Sequence, residues 1–314
     1  MQDPLTEIIQ LLKPRAVFSK PITGAGAWAV RYSRFDQPSF AAVLEGSCRL
    51  AVDGERRVTL AAGDFVLLPA TPGFTLSSFE FAAPVHLDPK RMAAPTGEVR
   101  HGRRGGKPDV RLLGGYFAFD SPDQPLLVSL LPAMFHLRGV ERLTLLVRLV
   151  AGETSDRRAG RDLVLSRLVE ILLIEALRSQ PSDESPAGLL RGLADPRIAP
   201  ALRRMHAELG RAWTVPALAK AAGLSRSSFF ERFNTTVGLA PMEYLLAWRM
   251  AVAKDLLRRE QLDIAAVAER IGYASSSTFS TAFARHVGAA PGRYARGTND
   301  TADHSLGEPV ARAV

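Results

Sequence analysis

The chain has a single cysteine in 314 residues. Cys48 therefore has no partner for an intrachain disulfide, and a zinc site built on cysteine is excluded. Long apolar runs are also missing. Arg, Glu or Asp interrupts each one before it reaches the roughly 20 residues that span a bilayer, so no membrane role is expected. The first residues, Met1-Gln2-Asp3-Pro4, lack the basic-then-apolar layout of a secretory leader, and the cytoplasm is the expected compartment. Histidine is sparse. A metal site needs several ligating side chains converging on one point, but Glu45, His86, His101 and His136 are scattered along the sequence with no His-x-His pair. The expectation is no metal and no cofactor.

Charge is plentiful but unevenly placed. The chain carries a formal net charge of +8. Residues 193–297 hold 15 Lys/Arg against 8 Asp/Glu, residues 1–192 hold 24 against 21, and residues 298–314 hold 1 against 3. Most of the excess lies in one third of the chain. A basic domain is the electrostatic footprint of phosphate contact; a merely soluble basic surface is the plain alternative. The hydrophobic fraction of 46% supports packed cores, and the length suits one large domain or two ordinary ones.

Residues 5–12 read as a short amphipathic helix that Pro14 ends. Residues 22–87 read as β-structure, with short apolar runs broken by Gly, Pro and Asp-Gly. Cys48, Leu50 and Val52 share one strand face, and Asp53-Gly54 signals a hairpin whose return begins at Val58. Gly63-Asp64 turns into Phe65–Leu68. Strands at this spacing suggest a small barrel or sandwich. Residues 101–108 form a Gly/Arg stretch that only loosely resembles a phosphate loop, because Pro108 stands where Ser or Thr is needed; a mobile surface loop is expected. Arg111–Phe119 reads as a further strand. Leu126–Leu131, Glu141–Val150 and Asp162–Arg178 read as helices, the last with a broad apolar stripe that serves core packing or a second subunit. Ser179–Gly188 is the expected linker, and residues 298–314 are an expected disordered tail.

From Asp195 onward the sequence writes one pattern twice, fifty residues apart. Phe229, Phe233, Gly238, Ala240, Pro241 and Tyr244 return as Phe279, Phe283, Gly288, Ala290, Pro291 and Tyr294. Each copy follows a short helix and a Gly-containing turn, which is the outline of a helix-turn-helix. Thr214 caps a helix over Val215–Ala222, Gly223-Leu224 turns, and Ser225 caps the next helix. In the second copy Asp263 caps Ile264–Ile271, Gly272-Tyr273 turns, and Ser275 starts the next helix. A continuous helix over Pro241–Arg259 joins the copies. Held rigidly, the two second helices could enter successive major-groove segments about 34 Å apart.

These stretches resemble the DNA-binding domain of AraC/XylS-type transcriptional regulators. The resemblance rests on Trp213-Thr-Val-Pro-Ala-Leu-Ala219, Gly223-Leu-Ser-Arg-Ser-Ser-Phe229, Gly238-Leu-Ala-Pro241, Ile264-Ala-Ala-Val-Ala268, Gly272-Tyr273, Phe279-Ser-Thr-Ala-Phe283 and Gly288-Ala-Ala-Pro-Gly-Arg-Tyr294. The first 190 residues are similar, more loosely, to the cupin-like sensor half of such regulators, through Asp3-Pro4-Leu5, Phe40-Ala-Ala-Val-Leu-Glu-Gly46, Ala62-Gly-Asp-Phe-Val-Leu-Leu-Pro69 and Gly115-Tyr-Phe117. Phe74 stands where related sensors often place His. The fold expected is α+β in two domains: a cupin-like β-barrel with helices over 1–190 and an all-α double helix-turn-helix over 193–297.

The resemblance implies that Arg226, Ser227, Phe230 and Glu231 of the first unit face the bases, with Ser276, Ser277, Ser280 and Thr281 of the second. These positions lie off the Phe229/Phe233 and Phe279/Phe283 faces. The second set offers only small hydroxyls, with no Arg, Gln or Asn for a bidentate base contact. The first unit is therefore expected to discriminate and the second mainly to anchor. Glu231 suits a cytosine amino group or, alternatively, an ion pair with a nearby Arg. Arg232, Arg285, His286 and Arg293 suit phosphate or open solvent, with phosphate favoured for Arg285. Trp28, Phe40, Phe65 and Phe74 are the expected lining of an apolar or mixed ligand pocket, each equally able to serve as plain core. Cys48 reads as a buried structural thiol, with a redox role as the alternative.

The partners implied are double-stranded DNA, RNA polymerase, a small-molecule effector and a second copy of the chain. The leading function is a sequence-specific transcription regulator modulated by a ligand in its N-terminal half. The alternatives are a cupin-type enzyme with an accessory helical domain, or a non-specific architectural DNA binder.

Overall fold

A computed structural model describes residues 4–297 apart from 36, 89–97, 120, 122–123, 156–157, 180–186 and 260–261. Most of the linker expected at Ser179–Gly188 and all of the tail expected over 298–314 lie outside the described residues. The chain divides into two compact units, one made of Leu5–Ala194 and the other holding the chain from Asp195 onward.

The first unit opens with α1 (Pro4–Leu12) and continues through β1 (Pro14–Ala25), β2 (Ala29–Tyr32), β3 (Ser39–Val52), β4 (Val58–Ala61), β5 (Phe65–Leu68), β6 (Phe74–Ser77), β7 (Val85–Leu87), β8 (Val99–Gly102) and β9 (Val110–Phe119). It closes with α2 (Gln124–Ser129), β10 (Phe135–Leu137), α3 (Glu141–Ser155), α4 (Arg161–Arg178) and α5 (Leu189–Ala194). The β-region is wider than 22–87: it begins at Pro14 and runs on to Leu137. His101 and Gly102 belong to β8, which pairs in parallel with β1, so the surface loop expected at 101–108 starts only after them. That loop is held by Arg100, whose guanidinium donates to the carbonyls of Arg103, Gly105 and Gly106. The short β10 and α5 carry no periodicity of their own and were not expected.

The strands make one curled sheet in the order β7-β2-β6-β3-β9-β1-β8, with β4, β5 and β10 attached beside it. Its bend lies in β3. Residues 39–46 of β3 pair with β9, and residues 39–42 pair with β5 on the other side. Residues 47–52 instead pair with β4 and β6. The crossing point is Gly46, at φ 73°. A Cβ there would overlap the carbonyl of Asp109. A register shift between Val43 and Glu45 adds a bulge just before it.

The bulge resets which residues face inward. Val43 before it and Cys48, Leu50 and Val52 after it all join one core inside the curl, with Trp28, Val30, Leu60, Val66, Leu68, Leu76 and Leu112. Successive strand residues alternate between faces. Phe40 and Phe65 therefore belong to the opposite layer, where Phe40 lies 6.4 Å from both Phe65 and Phe117. The helix pair α3–α4 packs on β1, and α3 also packs on β3 and β9. Arg142 at the start of α3 meets Glu175 near the end of α4 at 3.6 Å, as the short connection between two antiparallel helices requires. A buried Asp64 fastens the last strand: it accepts from the Ala61 N–H and pairs with His136 of β10 at 2.9 Å.

The corner predicts a clear cost for Gly46→Ala. A left-handed backbone disfavours an L side chain by about 1–2 kcal/mol, and the collision with Asp109 adds to it. Denaturant unfolding is expected to show a loss of about 2 kcal/mol or more, whereas Gly54→Ala, also at positive φ but with open space around it, is expected to cost less.

Candidate nucleic-acid interface

The second unit contains α6 (Ile198–Ala207), α7 (Val215–Ala222), α8 (Arg226–Val237), α9 (Pro241–Arg259), α10 (Ile264–Arg270), α11 (Ser276–Val287) and α12 (Pro291–Gly297). Four of its helix starts are written in the local sequence. The hydroxyls of Thr214, Ser225 and Ser275 accept from the N–H three residues on, at 3.3, 3.2 and 3.1 Å. The carboxylate of Asp263 accepts from the Ala266 N–H at 2.6 Å. Each satisfies a donor that the helix itself leaves open.

Phe229, Phe233, Phe279 and Phe283 are fully buried, which makes the repeated residues scaffold. The first aromatic core sets Phe233 edge-on to Tyr244 at 5.8 Å and His206 at a tilt against Trp248 at 4.4 Å. A 2.7 Å hydrogen bond joins His206 Nε2 and the Tyr244 hydroxyl. The second core sets Phe279 against Tyr273 and Phe283 against Tyr294, at 5.7 and 5.5 Å. Helix α9 serves both. Tyr244, Leu245 and Trp248 are buried in its first half, and Met250, Ala253, Leu256 and Leu257 join the second core. Its 19 residues give it a length of about 28 Å at 1.5 Å per residue.

The non-repeating residues stand outside. On α8, Arg226, Ser227, Phe230 and Glu231 are exposed, and Phe230 keeps 44% of its surface in the open. An apolar ring this exposed on a surface helix is the kind of group that a thymine methyl would cover. On α11, Ser276, Ser277 and Thr281 are exposed and Ser280 is half-buried. The Thr281 hydroxyl donates to the Ser277 carbonyl at 3.1 Å, so its proton is spent within the helix. Arg285, His286 and Arg293 are exposed.

Arg232 is different. Its Nε donates to Asp195 at 2.9 Å, which ties α8 to the start of α6. Asp195 also accepts from the N–H groups of Arg197 and Ile198. Partial burial raises the carboxyl, but the Arg197 N–H, the Arg232 guanidinium and the Ile198 N–H outweigh it, and the net shift is downward. A carboxyl lowered by folding stabilises the fold above its unfolded value, about 3.9, and releases that contribution as pH falls through its folded value.

The four aromatics expected to line a ligand pocket fall into two layers. Trp28 belongs to the core inside the curl, with Phe74 packed against it, and Phe40 and Phe65 sit on the helix-facing side. Phe74 stacks on Tyr32 at 4.7 Å. The Trp28 ring lies over Gly24 and stacks on His101 at 5.8 Å. His101 Nε2 is buried without a hydrogen-bond partner among the described residues. Burial, with the nearby Lys20 charge adding to it, lowers the His101 pKa, and burial lowers that of Lys20. This Lys20–Trp28–His101 grouping has no local signature in the sequence, because β1, the β1–β2 connection and β8 each supply one member. Of the other scattered groups, Glu45 lies 3.4 Å from Arg111 and His136 is held by Asp64.

A curled-sheet half and a half of two capped helix-turn-helix units on one shared helix define a cupin helix-turn-helix protein. The Cupin family matches residues 3–180, and a helix-turn-helix domain family matches residues 218–297. The chain belongs to the AraC-like transcription regulators. A relative so named in Streptomyces lividans is 37% identical over 93% of this chain and 97% of its own length, and one in Streptomyces antibioticus is 36% identical over 93% and 98%. The HTH-type transcriptional regulator AlkR of Acinetobacter baylyi is 28% identical over 86% of this chain and 91% of its own.

Two substitutions separate reading from anchoring. Arg226→Ala is expected to relax preference at one base-pair position by about 1–3 kcal/mol. Arg285→Ala is expected to weaken binding to all sequences alike. Affinities measured across single-base variants of a bound duplex would show the two patterns; matching behaviour would refute the assignment. In the N-terminal half, burial, with the Asp64 charge adding to it, pushes the Cys48 thiol up to about 12. A maleimide at pH 8 is expected to leave the native protein unmodified and to label Cys48 once the chain is unfolded, as read by mass.

Proposed function

We propose that the chain is a sequence-specific DNA-binding regulator of transcription, working in the cytoplasm, whose output depends on a small molecule held in its N-terminal half. The observation that carries the DNA-reading part is the pair of exposed, non-repeating surfaces, Arg226/Phe230/Glu231 and Ser276/Ser277/Thr281, on two buried and repeated Phe scaffolds. Regulators in Streptomyces that share over a third of its residues along nearly the whole chain support the same reading.

The effector part rests on the interior of the curled sheet. Trp28 offers an aromatic face, His101 a nitrogen with no hydrogen-bond partner among the described residues, and Lys20 a half-buried cation. A small molecule with an apolar body and an acceptor group suits that set. A homodimer belongs to the same proposal: Leu145, Leu149, Leu163 and Ile171 leave an apolar outer face on α3 and α4. The chain acts by binding, and catalysis has no part in this reading.

Binding of the full chain to random-sequence and selected duplexes tests the proposal. A selected duplex is expected to bind at least about a thousandfold more tightly than random DNA. Affinity for both is expected to fall by roughly a thousandfold between 50 and 200 mM salt if six phosphates are contacted. Absence of any binding at low salt would sink the regulator reading, and equal affinity for both duplexes would leave only the architectural one.

A further inference from the structure

One guanidinium lies where three parts of the helical unit meet. Arg249 sits in the middle of α9, between Trp248 of the first core and Met250 of the second. Its Nε and Nη2 donate to the Leu209 carbonyl at 3.1 and 2.8 Å, and Nη2 also donates to the Arg211 carbonyl at 2.7 Å. Those carbonyls belong to the loop that leads from α6 into α7, the entry of the first helix-turn-helix. The same loop is braced from within. Arg211 pairs with Glu208 at 2.8 Å and lies 4.3 Å over the Trp213 ring, whose indole N–H donates to the Glu208 carbonyl.

The turn of the second helix-turn-helix presses on this loop from the other side. Gly272 holds φ 85°, and a Cβ on it would overlap the Gly210 carbonyl and come within 2.8 Å of Arg249 Nη2. A Cβ on Gly210 would stand 3.3 Å from the Arg270 carbonyl, at the end of α10. The entry of one unit and the turn of the other thus touch backbone to backbone, and Arg249 reaches into that contact from the helix they share. Half-burial lowers the Arg249 pKa, while Tyr273, in the turn itself, acts the other way. A guanidinium stays charged under both influences.

Two units packed on one helix can still tilt and slide slightly on its surface. A second contact away from the helix axis removes that freedom. We propose that Arg249, locked between the Leu209 and Arg211 carbonyls and against Gly272, is the positioning residue that sets the phase of α11 relative to α8, and so the spacing of the two DNA segments the chain reads. One base pair advances a duplex by about 3.4 Å and a tenth of a turn. A junction that fixes phase therefore makes spacing part of what is recognised. The inference rests on the DNA-reading function above.

Its test uses the full chain and a duplex selected by that chain from a randomised pool. One base pair is then added or removed between the two contacted segments. The wild type is expected to lose about tenfold or more in affinity at either altered spacing. Arg249→Lys keeps the charge but not the planar fork, and Gly272→Ala wedges the contact apart. Both are expected to bind the parent duplex several-fold more weakly and to pay only about twofold for the altered spacing. A role in stability alone would instead weaken binding equally at every spacing. The proposal is overturned if both variants keep the wild type's spacing penalty, or if the wild type itself shows none. Loss of helical circular dichroism in both variants would overturn it too, since the junction would then hold the fold and not the phase. Absence of any DNA binding by the wild type would instead count against the regulator reading.

Discussion

The helical half of this protein depends on one helix being buried twice. α9 gives Tyr244, Leu245 and Trp248 to the first core and Met250, Leu256 and Leu257 to the second. Neither helix-turn-helix is large enough to enclose its own aromatic pair: each is two short helices, and an isolated helix of such length is marginal in water. The shared helix closes both. Its burial at both ends also makes the two units one object, since neither can leave α9 without exposing a pair of phenylalanines.

The N-terminal half solves a comparable problem with a strand. β3 is bonded to β5 and β9 over its first part and to β4 and β6 over its last, so one strand belongs to both arms of the curled sheet. Gly46 makes the bend, and the bulge before it keeps Val43 and Cys48 on the same side of the core. The result is two separate apolar layers: a sheet interior around Trp28 and Leu50, and an aromatic layer around Phe40, Phe65 and Phe117 beneath the helices.

Local features were legible in the sequence and distant pairings were not. The caps at Thr214, Ser225, Asp263 and Ser275 and the span of α9 all follow from residues within a turn of one another, and the structure agrees with each. The inward Phe pairs were readable because helical spacing alone puts them on one face. The bend in β3 was hidden, because a bulge changes the parity of a strand without changing its composition. That parity is why Phe40 and Phe65 part company with Trp28 and Phe74. β8 was missed because its pairing partner, β1, lies some 75 residues earlier and the local sequence is rich in Gly and Arg. Arg249 left no trace either: its acceptors are main-chain carbonyls, which any residue supplies. Arg232 looked free for phosphate because Asp195 is 37 residues away.

That last pairing has an electrical consequence. With Arg232 matched by Asp195, and Glu231 opposite in sign to Arg226, the exposed side of α8 is close to neutral. A neutral helix exerts little pull on a polyanion across a Debye length. On the proposed DNA-reading function, capture from a distance would then fall to exposed cations elsewhere on the unit, such as Arg203, Arg204, Arg285 and Arg293. In that reading, arrival and recognition are carried by different residues. The charges that govern how often the protein meets DNA are, on this proposal, separate from those that decide where it stays.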